Sequence, residues 1–380
     1  MKINSTVRDF SGAIRVRGKR KKKFLYASEE PVKVDEIKLL ANKLHPGIIS
    51  LKVTNIKLSS LYSKIIRLEG ENIPYFKAGQ YLTLSYKINN LNVTRPYSII
   101  SSPNDAISDK PFVEICIGYR ENSISGKYLF ENVKINDEFK VEMGLGDFTY
   151  NSIRDSKNIV CIAGGTGITP FLSMARSLKD GILDANITII HGVSNSKDLV
   201  LNDEFKELLS DKIKLVHVLS SNEDNWDGLK GFIDKDIISK YSSNDSTYFI
   251  CGPKAMYDFV LKELNELKVN KRRIRKEVYQ DNYSDVKREK YTLEVVRGID
   301  STFIDCYSNE SLALALEKAR IKIHTRCRSG VCGICRVRVL DGEYYIPKDN
   351  DLRRQTDKEF GYVHSCSTYP RSNIKIKINI

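Results

Sequence analysis

Three cysteines fall within one short stretch, His324-Thr325-Arg326-Cys327-Arg328-Ser329-Gly330-Val331-Cys332-Gly333-Ile334-Cys335. A fourth, Cys366, follows after 30 intervening residues, in His364-Ser365-Cys366-Ser367. If all four serve one centre, a distant segment has to return to a tight loop that carries the other three. The spacing C-x4-C-x2-C, then a remote cysteine, is that of plant-type [2Fe–2S] ligands. Gly330 and Gly333 would let the loop take backbone angles closed to other residues and bring its N–H groups up to the sulfurs. A four-cysteine zinc site is the alternative. It would be expected to show a C-x2-C pair at both ends, and only one such pair is present.

At 380 residues the chain is too long for one typical core, so about two to four domains are expected. No apolar run reaches the roughly 18 residues of a membrane helix, and Met1-Lys2-Ile3-Asn4-Ser5 lacks an apolar signal core. A cytoplasmic location is the expectation. Eight cysteines in such a chain read as ligands, catalytic groups or core residues rather than disulfides. The net charge of +13 admits nucleic acid, anionic lipid or an acidic protein as partner. It concentrates at Arg15 to Lys23, at Lys268 to Lys276, and at Arg326, Arg328, Arg336 and Arg338. The first two read as a tail and a solvated face. Aromatics are not interleaved with these runs as a base-stacking platform needs, which argues against nucleic acid.

Residues 1–50 form a basic N-terminal extension, ending in a short helical pattern (Ile37, Leu39, Leu40, Leu44) stopped by His45-Pro46-Gly47. Short alternating strands follow, such as Leu51–Leu58, Lys64–Leu68, Tyr81–Tyr86, Tyr97–Ile100 and Phe112–Ile117, with turn residues between them. That pattern predicts an antiparallel β-barrel over 51–152. From 153 to 281 the grammar is βαβ: apolar runs at Ile159–Ala163, Ile187–His191, Ile213–Leu219 and Tyr248–Cys251 alternate with helical patterns at Asp203–Leu209 and Ala255–Leu267. A parallel sheet is expected there. Residues 282–290 read as a linker. Residues 291–380 hold strands, a helix at Leu312–Ala319 and the cysteine loop.

Three further stretches carry chemistry. Gly164-Gly165-Thr166-Gly167-Ile168-Thr169-Pro170 follows a buried strand and opens a helix, where glycines admit a pyrophosphate to the helix N-terminus. A plain strand-turn-helix would explain it too. Cys251-Gly252-Pro253 ends a later strand, and ligands bind beyond the carboxyl ends of such strands; a core cysteine is the bland reading. Arg95-Pro96-Tyr97-Ser98, at the start of a barrel strand, offers a cation for phosphate, a stacking face and a hydroxyl. By itself it would pass for an edge-strand tetrapeptide.

In this order, with Glu277-Val278-Tyr279 before the cysteine loop, the motifs resemble the ferredoxin–NADP reductase superfamily. Within it they are similar to the reductases with a C-terminal plant-type ferredoxin domain: the phenylacetyl-CoA oxygenase, hybrid cluster protein and phthalate dioxygenase reductase types. The likeness covers roughly residues 50–380. It implies a multidomain chain of an antiparallel flavin barrel, a parallel α/β nicotinamide-nucleotide domain and a β-grasp ferredoxin domain. It implies FAD, with FMN the lesser alternative, a [2Fe–2S] cluster, and NADH or NADPH as donor. By the same likeness Arg95, Pro96, Tyr97 and Ser98 hold the flavin. Gly164, Gly165, Gly167 and Pro170 hold the nucleotide pyrophosphate, with Thr169 near the flavin. Cys251, Gly252 and Pro253 flank the nicotinamide, and Ser98, Cys251 and Glu277 line the hydride site. Cys327, Cys332, Cys335 and Cys366 ligate the cluster.

The family's second flavin-phosphate serine is replaced here by Gly126, which leaves Ser125 and the Gly126 N–H to substitute for it. His191–Asp198 offers serines and Lys197 but no arginine for a 2′-phosphate, so the donor leans to NADH. Electrons are expected to reach a protein acceptor with an acidic surface, steered by the arginines near the cluster. The alternatives are an electron-transfer subunit of a larger redox complex, or a redox-sensing binding protein that uses the basic extension. A dihydroorotate dehydrogenase-type subunit sets its last cysteine much closer to the third than the 30 residues seen here.

Overall fold

The computed structural model describes residues 5–25, 35–89, 91–119, 123–277, 287–348 and 351–378. The chain divides into two compact units, Met1–His45 and Pro46–Ile380. The first holds α1 (Ser5–Leu25) and α2 (Glu36–Leu44). The basic run Arg15–Lys23 therefore lies in a helix, where the sequence suggested only a tail. Asp35 caps α2 by accepting from the Lys38 N–H at 2.9 Å, and Pro46 disfavours continuation past His45. The acidic-proline stretch Glu29–Pro31 lies outside the described residues.

The second unit opens with six antiparallel strands: β1 (Ile48–Ser60), β2 (Ser63–Glu69), β3 (Tyr81–Ile88), β4 (Leu91–Ser98), β5 (Phe112–Gly118) and β6 (Glu138–Leu145). They lie in the order β4-β3-β6-β1-β2-β5, and a bridge between Ile99 and Ile115 ties the two edges into a barrel. Alternate side chains such as Leu51, Val53, Leu82, Leu84 and Val141 fill its core. Arg95-Pro96-Tyr97-Ser98 ends β4 rather than starting a strand. The hairpin turns at Asn89, which holds φ +47°, so β4 begins at Leu91, and Pro96 is tolerated because β4 is an edge strand. Strand β6 and helix α3 (Ile124–Asn132) were not foreseen.

Next come β7 (Asn158–Gly164), α4 (Thr169–Lys179), β8 (Asn186–Val193), α5 (Asn202–Lys206), β9 (Ile213–Leu219), β10 (Leu229–Lys230), α6 (Lys235–Lys240), β11 (Thr247–Cys251), α7 (Lys254–Glu266) and β12 (Ile274–Lys276). The strands form a parallel sheet in the order β10-β9-β8-β7-β11-β12. The strand order reverses between β7 and β11, which makes the crevice above them the expected ligand position. Helix α4 fastens this domain to the barrel. Ser173 Oγ donates to the Ser101 carbonyl at 2.7 Å, and Arg176 donates to the Ile100 carbonyl at 3.1 Å and to Glu114 at 2.8 Å. Glu114 also takes Arg67 at 2.9 Å. The Lys268–Lys276 run is not a fully solvated face, because Arg275 pairs with buried Asp155 at 2.6 Å.

The last domain has β13 (Lys290–Arg297), β14 (Asp300–Tyr307), α8 (Leu312–Lys318), β15 (Arg336–Asp341), β16 (Tyr344–Tyr345), α9 (Gln355–Glu359), β17 (Tyr362–His364), β18 (Tyr369–Pro370) and β19 (Ile374–Lys377). The mixed sheet runs β14-β13-β19-β15-β17, and α8 packs Leu312 and Leu316 onto Leu293, Val295 and Ile376. Most of the expected linker, together with Tyr279, falls outside the described residues. Among those described, no helix is long and apolar enough to cross a membrane.

Candidate redox site

The two glycine motifs of the nucleotide domain are pressed together at the ends of β7 and β11, where Cys251 lies opposite Ala163. A Cβ on Gly167 would lie 2.1 Å from the Cys251 carbonyl oxygen, one on Gly164 would lie 2.7 Å from Pro253, and one on Gly252 would lie 3.0 Å from the Gly164 nitrogen. Gly165 takes φ +52°, and its carbonyl accepts from His191 Nε2 at 2.9 Å. His191 is fully buried, and burial, then the nearby His217, push it down to about 3. It is therefore a neutral ring whose Nε2–H pins the loop. This pin had no signature in the sequence. Pro170 sits in the first turn of α4, where its missing N–H costs nothing. Thr169 is buried, and its hydroxyl donates to the Thr166 carbonyl at 2.9 Å. It is the Thr166 methyl that approaches the barrel, 3.2 Å from where a Gly118 Cβ would stand.

Cys251 and Glu277 meet: the buried thiol donates to Glu277 Oε2 at 3.3 Å. The Glu277 backbone is fixed by its N–H to the Ile250 carbonyl at 3.2 Å and by the Tyr257 hydroxyl donating to its own carbonyl. Burial pushes the carboxyl up to about 7, and it pushes the Cys251 thiol well up, with Glu277 adding to the shift. Ser98 lies across the β3–β4 ladder from Tyr81. Tyr81 was not singled out from the sequence, yet it links the parts. Its hydroxyl is pushed up chiefly by burial, and it feels Cys327, Cys332, Arg326 and Glu277. The cysteine loop reaches the same part of the barrel, since its Arg326 pairs with Glu142 of β6, the strand beside β3.

In the flavin motif, Arg95 points its Nη1 and Nη2 at Glu317, at 2.9 and 3.0 Å. Its Nε bonds to no described residue, so a second guanidinium edge is left for an anion. Pro96 faces Thr83 in the ladder. Burial pushes the Tyr97 hydroxyl up, with Tyr86 and Ser125 as its polar neighbours. The two groups expected to replace the phosphate serine are both engaged: Ser125 Oγ bonds the Tyr86 hydroxyl at 2.5 Å, and the Gly126 N–H donates to Ser123 Oγ at 3.1 Å. Below lies a cavity of about 1090 Å³, lined by Tyr86, Thr94, Tyr128, Glu317, Arg326 and Arg328.

The four expected ligands come together. Cys335 and Cys366 are buried, Cys327 is partly so and Cys332 is exposed. Backbone N–H groups aim at the sulfurs: Ser329 and Cys332 at Cys327 Sγ (3.5 and 3.4 Å), Gly330 at Cys366 Sγ (3.3 Å). Gly330 and Gly333 hold φ +80° and +70°, as the spacing requires. Cys327 and Cys335 are pulled down while Cys332 and Cys366 are pushed up, each chiefly by its neighbours among the same four thiols, so the four sulfurs share one site. Among the described residues no group of three or more His, Cys, Asp or Glu closes around a single ion. The donor set is four thiols with N–H support, which fits an iron–sulfur centre. His364 braces the loop with Nδ1 2.6 Å from the Gly330 carbonyl.

Two of the four nearby arginines turn inward. Arg326 pairs with Glu142 of β6 through Nε at 3.0 Å. Arg328 pairs with Glu317 through both terminal nitrogens at 3.1 Å. Arg336 pairs with Asp357 at 2.9 Å and remains half exposed, and Arg338 is exposed.

Comparison with known proteins agrees with this layout. Residues 50–150 match the oxidoreductase FAD-binding domain, 161–262 the oxidoreductase NAD-binding domain, and 298–371 the 2Fe-2S iron-sulfur cluster binding domain. The glycine betaine monooxygenase reductase subunit of Chromohalobacter salexigens is 24% identical over 80% of this chain and 87% of its own length. The NADH oxidoreductase HCR of Escherichia coli is 26% identical over 79% and 88%. The solved structure of phthalate dioxygenase reductase, described as modular for electron transfer from pyridine nucleotides to [2Fe-2S], superposes with a TM-score of 0.65. It is 21% identical and covers 88% of this chain and 98% of that one.

Proposed function

Because the chain belongs to the ferredoxin–NADP reductase superfamily, among the flavoproteins with a C-terminal plant-type [2Fe–2S] domain, we propose that it takes a hydride from NADH beside Cys251 and Glu277 and passes single electrons from the cysteine loop to a separate protein. With FAD-binding, NAD-binding and 2Fe-2S domains in one chain it is an NAD(P)H-dependent oxidoreductase. Bound flavin supplies the conversion of one hydride into two single electrons. The protein's part is placement. Gly164, Gly165, Gly167 and Pro170 take the pyrophosphate, and Gly252 and Pro253 shape the nicotinamide pocket. Tyr97 and Ser98 face the flavin ring, and Arg95 faces its phosphate. Cys327, Cys332, Cys335 and Cys366 hold the irons. The observation that supports this reading is the tie between the cysteine loop and the strand of Arg95–Ser98, where Arg328 and Arg95 both meet Glu317 at 2.9 to 3.1 Å.

NADH is favoured by Glu223. Its carboxylate accepts from the Ser196 N–H at 2.9 Å, which sets a negative charge beside the segment that would otherwise receive a 2′-phosphate. We divide the chain functionally at 51–152, 153–281 and 291–380, and place it in the cytoplasm, where thiols stay reduced. Anaerobic titration with NADH and then NADPH, followed by absorbance, tests the path. NADH is expected to bleach flavin and then cluster, with NADPH much slower. A cluster that neither nucleotide reduces would sink the reading.

The acceptor is proposed to be an oxygenase component or a comparable redox protein with an acidic face. Arg336 and Arg338 present the outward charge, since Arg326 and Arg328 are spent inside. The acceptor rate is expected to fall several-fold as salt rises from about 0.05 to about 0.3 M. A rate unchanged by salt would remove the acidic face from the proposal.

A further inference from the structure

We propose that Glu317 is a positioning residue for electron transfer between the flavin barrel and the cluster, because its one carboxylate is shared by the flavin-motif Arg95 and the cluster-loop Arg328. The inference rests on the reading above that electrons cross from flavin to cluster within the chain. Glu317 takes no part in the chemistry: each hydride brings two electrons, and they cross one at a time to the irons.

Glu317 lies on α8 of the ferredoxin domain and is buried, with 8% of its surface exposed. Arg328, between Cys327 and Ser329, is equally buried at 6%. Arg95 and Arg328 each offer Nη1 to Glu317 Oε1 and Nη2 to Oε2, at 2.9 to 3.1 Å. Both also donate to one barrel carbonyl, that of Thr94, at 2.9 and 3.1 Å. Burial alone would raise the Glu317 carboxyl, but Arg328 and Arg95 outweigh it and hold it below the usual range. Two guanidinium groups this close repel one another, and the carboxylate between them is what permits the arrangement.

The loop backbone carries the mark of this constraint. Arg328 takes φ +55°, a left-handed conformation unfavourable for a long side chain. It persists because the surrounding contacts fix it. A residue bracketed by cluster ligands is thus anchored to the strand that carries the flavin motif. Arg326 adds a second anchor to the barrel through Glu142, and it does not depend on Glu317. Removing Glu317 should therefore loosen the loop without detaching the domain, and single-electron transfer falls steeply with distance.

Rapid mixing of the holoprotein with NADH, reading flavin and cluster bleaching separately, tests this in Glu317→Gln. Flavin reduction should stay within about twofold of wild type while cluster reduction slows about tenfold or more. The electron paramagnetic resonance signal of the reduced cluster should broaden as the loop samples more than one position. Arg328→Gln should reproduce the slow step, and the double variant should be no slower than either single one. Should Glu317→Gln fail to fold, Glu317→Asp replaces it, since the shorter arm cannot bridge both arginines, and the same slow step is expected. Cluster reduction at the wild-type rate, or additive slowing in the double variant, would overturn the shared role. A wild-type cluster that NADH never reduces would instead fail the functional reading itself.

Discussion

Gly167→Ala is expected to weaken NADH binding by about a hundredfold or more, the equivalent of roughly 3 kcal/mol. The added methyl would lie 2.1 Å from the Cys251 carbonyl oxygen, 2.5 Å from its carbon and 2.9 Å from the Gly252 nitrogen. All three are backbone atoms at the end of a central strand, so no side chain can rotate aside. Relief requires β7 and β11 to part where both binding motifs sit. Gly181→Ala, in the turn after α4 and outside the binding loop, is the control. Its φ of +73° makes alanine strained, but nothing lies within 4 Å of the new Cβ, so the cost should be only about 1–2 kcal/mol. Calorimetric titration with NAD⁺ measures both. Equal affinities in the two variants would show that strand contact does not set the pocket.

The contrast shows what could be read in the sequence. The order of glycines told that a backbone approaches closely after β7, and it does. The approaching backbone is that of Cys251, some eighty residues on, and only the parallel pairing of β7 with β11 brings it there. That Cys327, Cys332, Cys335 and Cys366 would share one place was legible because four thiols at fixed spacing leave few alternatives, and the structure brings them together. Strand β6 is legible too: Phe139, Val141 and Met143 alternate with Lys140 and Glu142 and are buried. His191 and Tyr81 were not legible, since an isolated histidine or tyrosine on a strand carries no pattern. The arginines near the cluster misled for a related reason. Sequence shows a charge but not its partner: Arg326 finds its own on β6, 184 residues back, and Arg328 finds its own on α8, 11 residues back across a helix end that the sequence does not orient.

Glu277→Gln should separate stability from activity by their pH dependence. Burial holds the folded carboxyl at about 7 against 4.5 for an ordinary glutamate. The folded protein therefore keeps a proton that the unfolded chain has lost. Its contribution is intact below about pH 4.5 and is lost as pH rises through about 7, a decline of at most about 3 kcal/mol. Glutamine cannot ionise, so the variant should lack this decline and be the more stable protein above pH 7. Activity should move the other way. A carboxylate beside Cys251 stabilises the positive charge left on a nicotinamide that has given up its hydride, so flavin reduction should accelerate as Glu277 ionises. In the variant it should be slower by about ten- to a hundredfold, with no rise through neutral pH. Stopped-flow flavin reduction and thermal unfolding between about pH 5 and 9 measure both sides. A variant whose rate still climbs through pH 7 would assign that titration to another group and leave Glu277 as a brace for the Cys251 thiol.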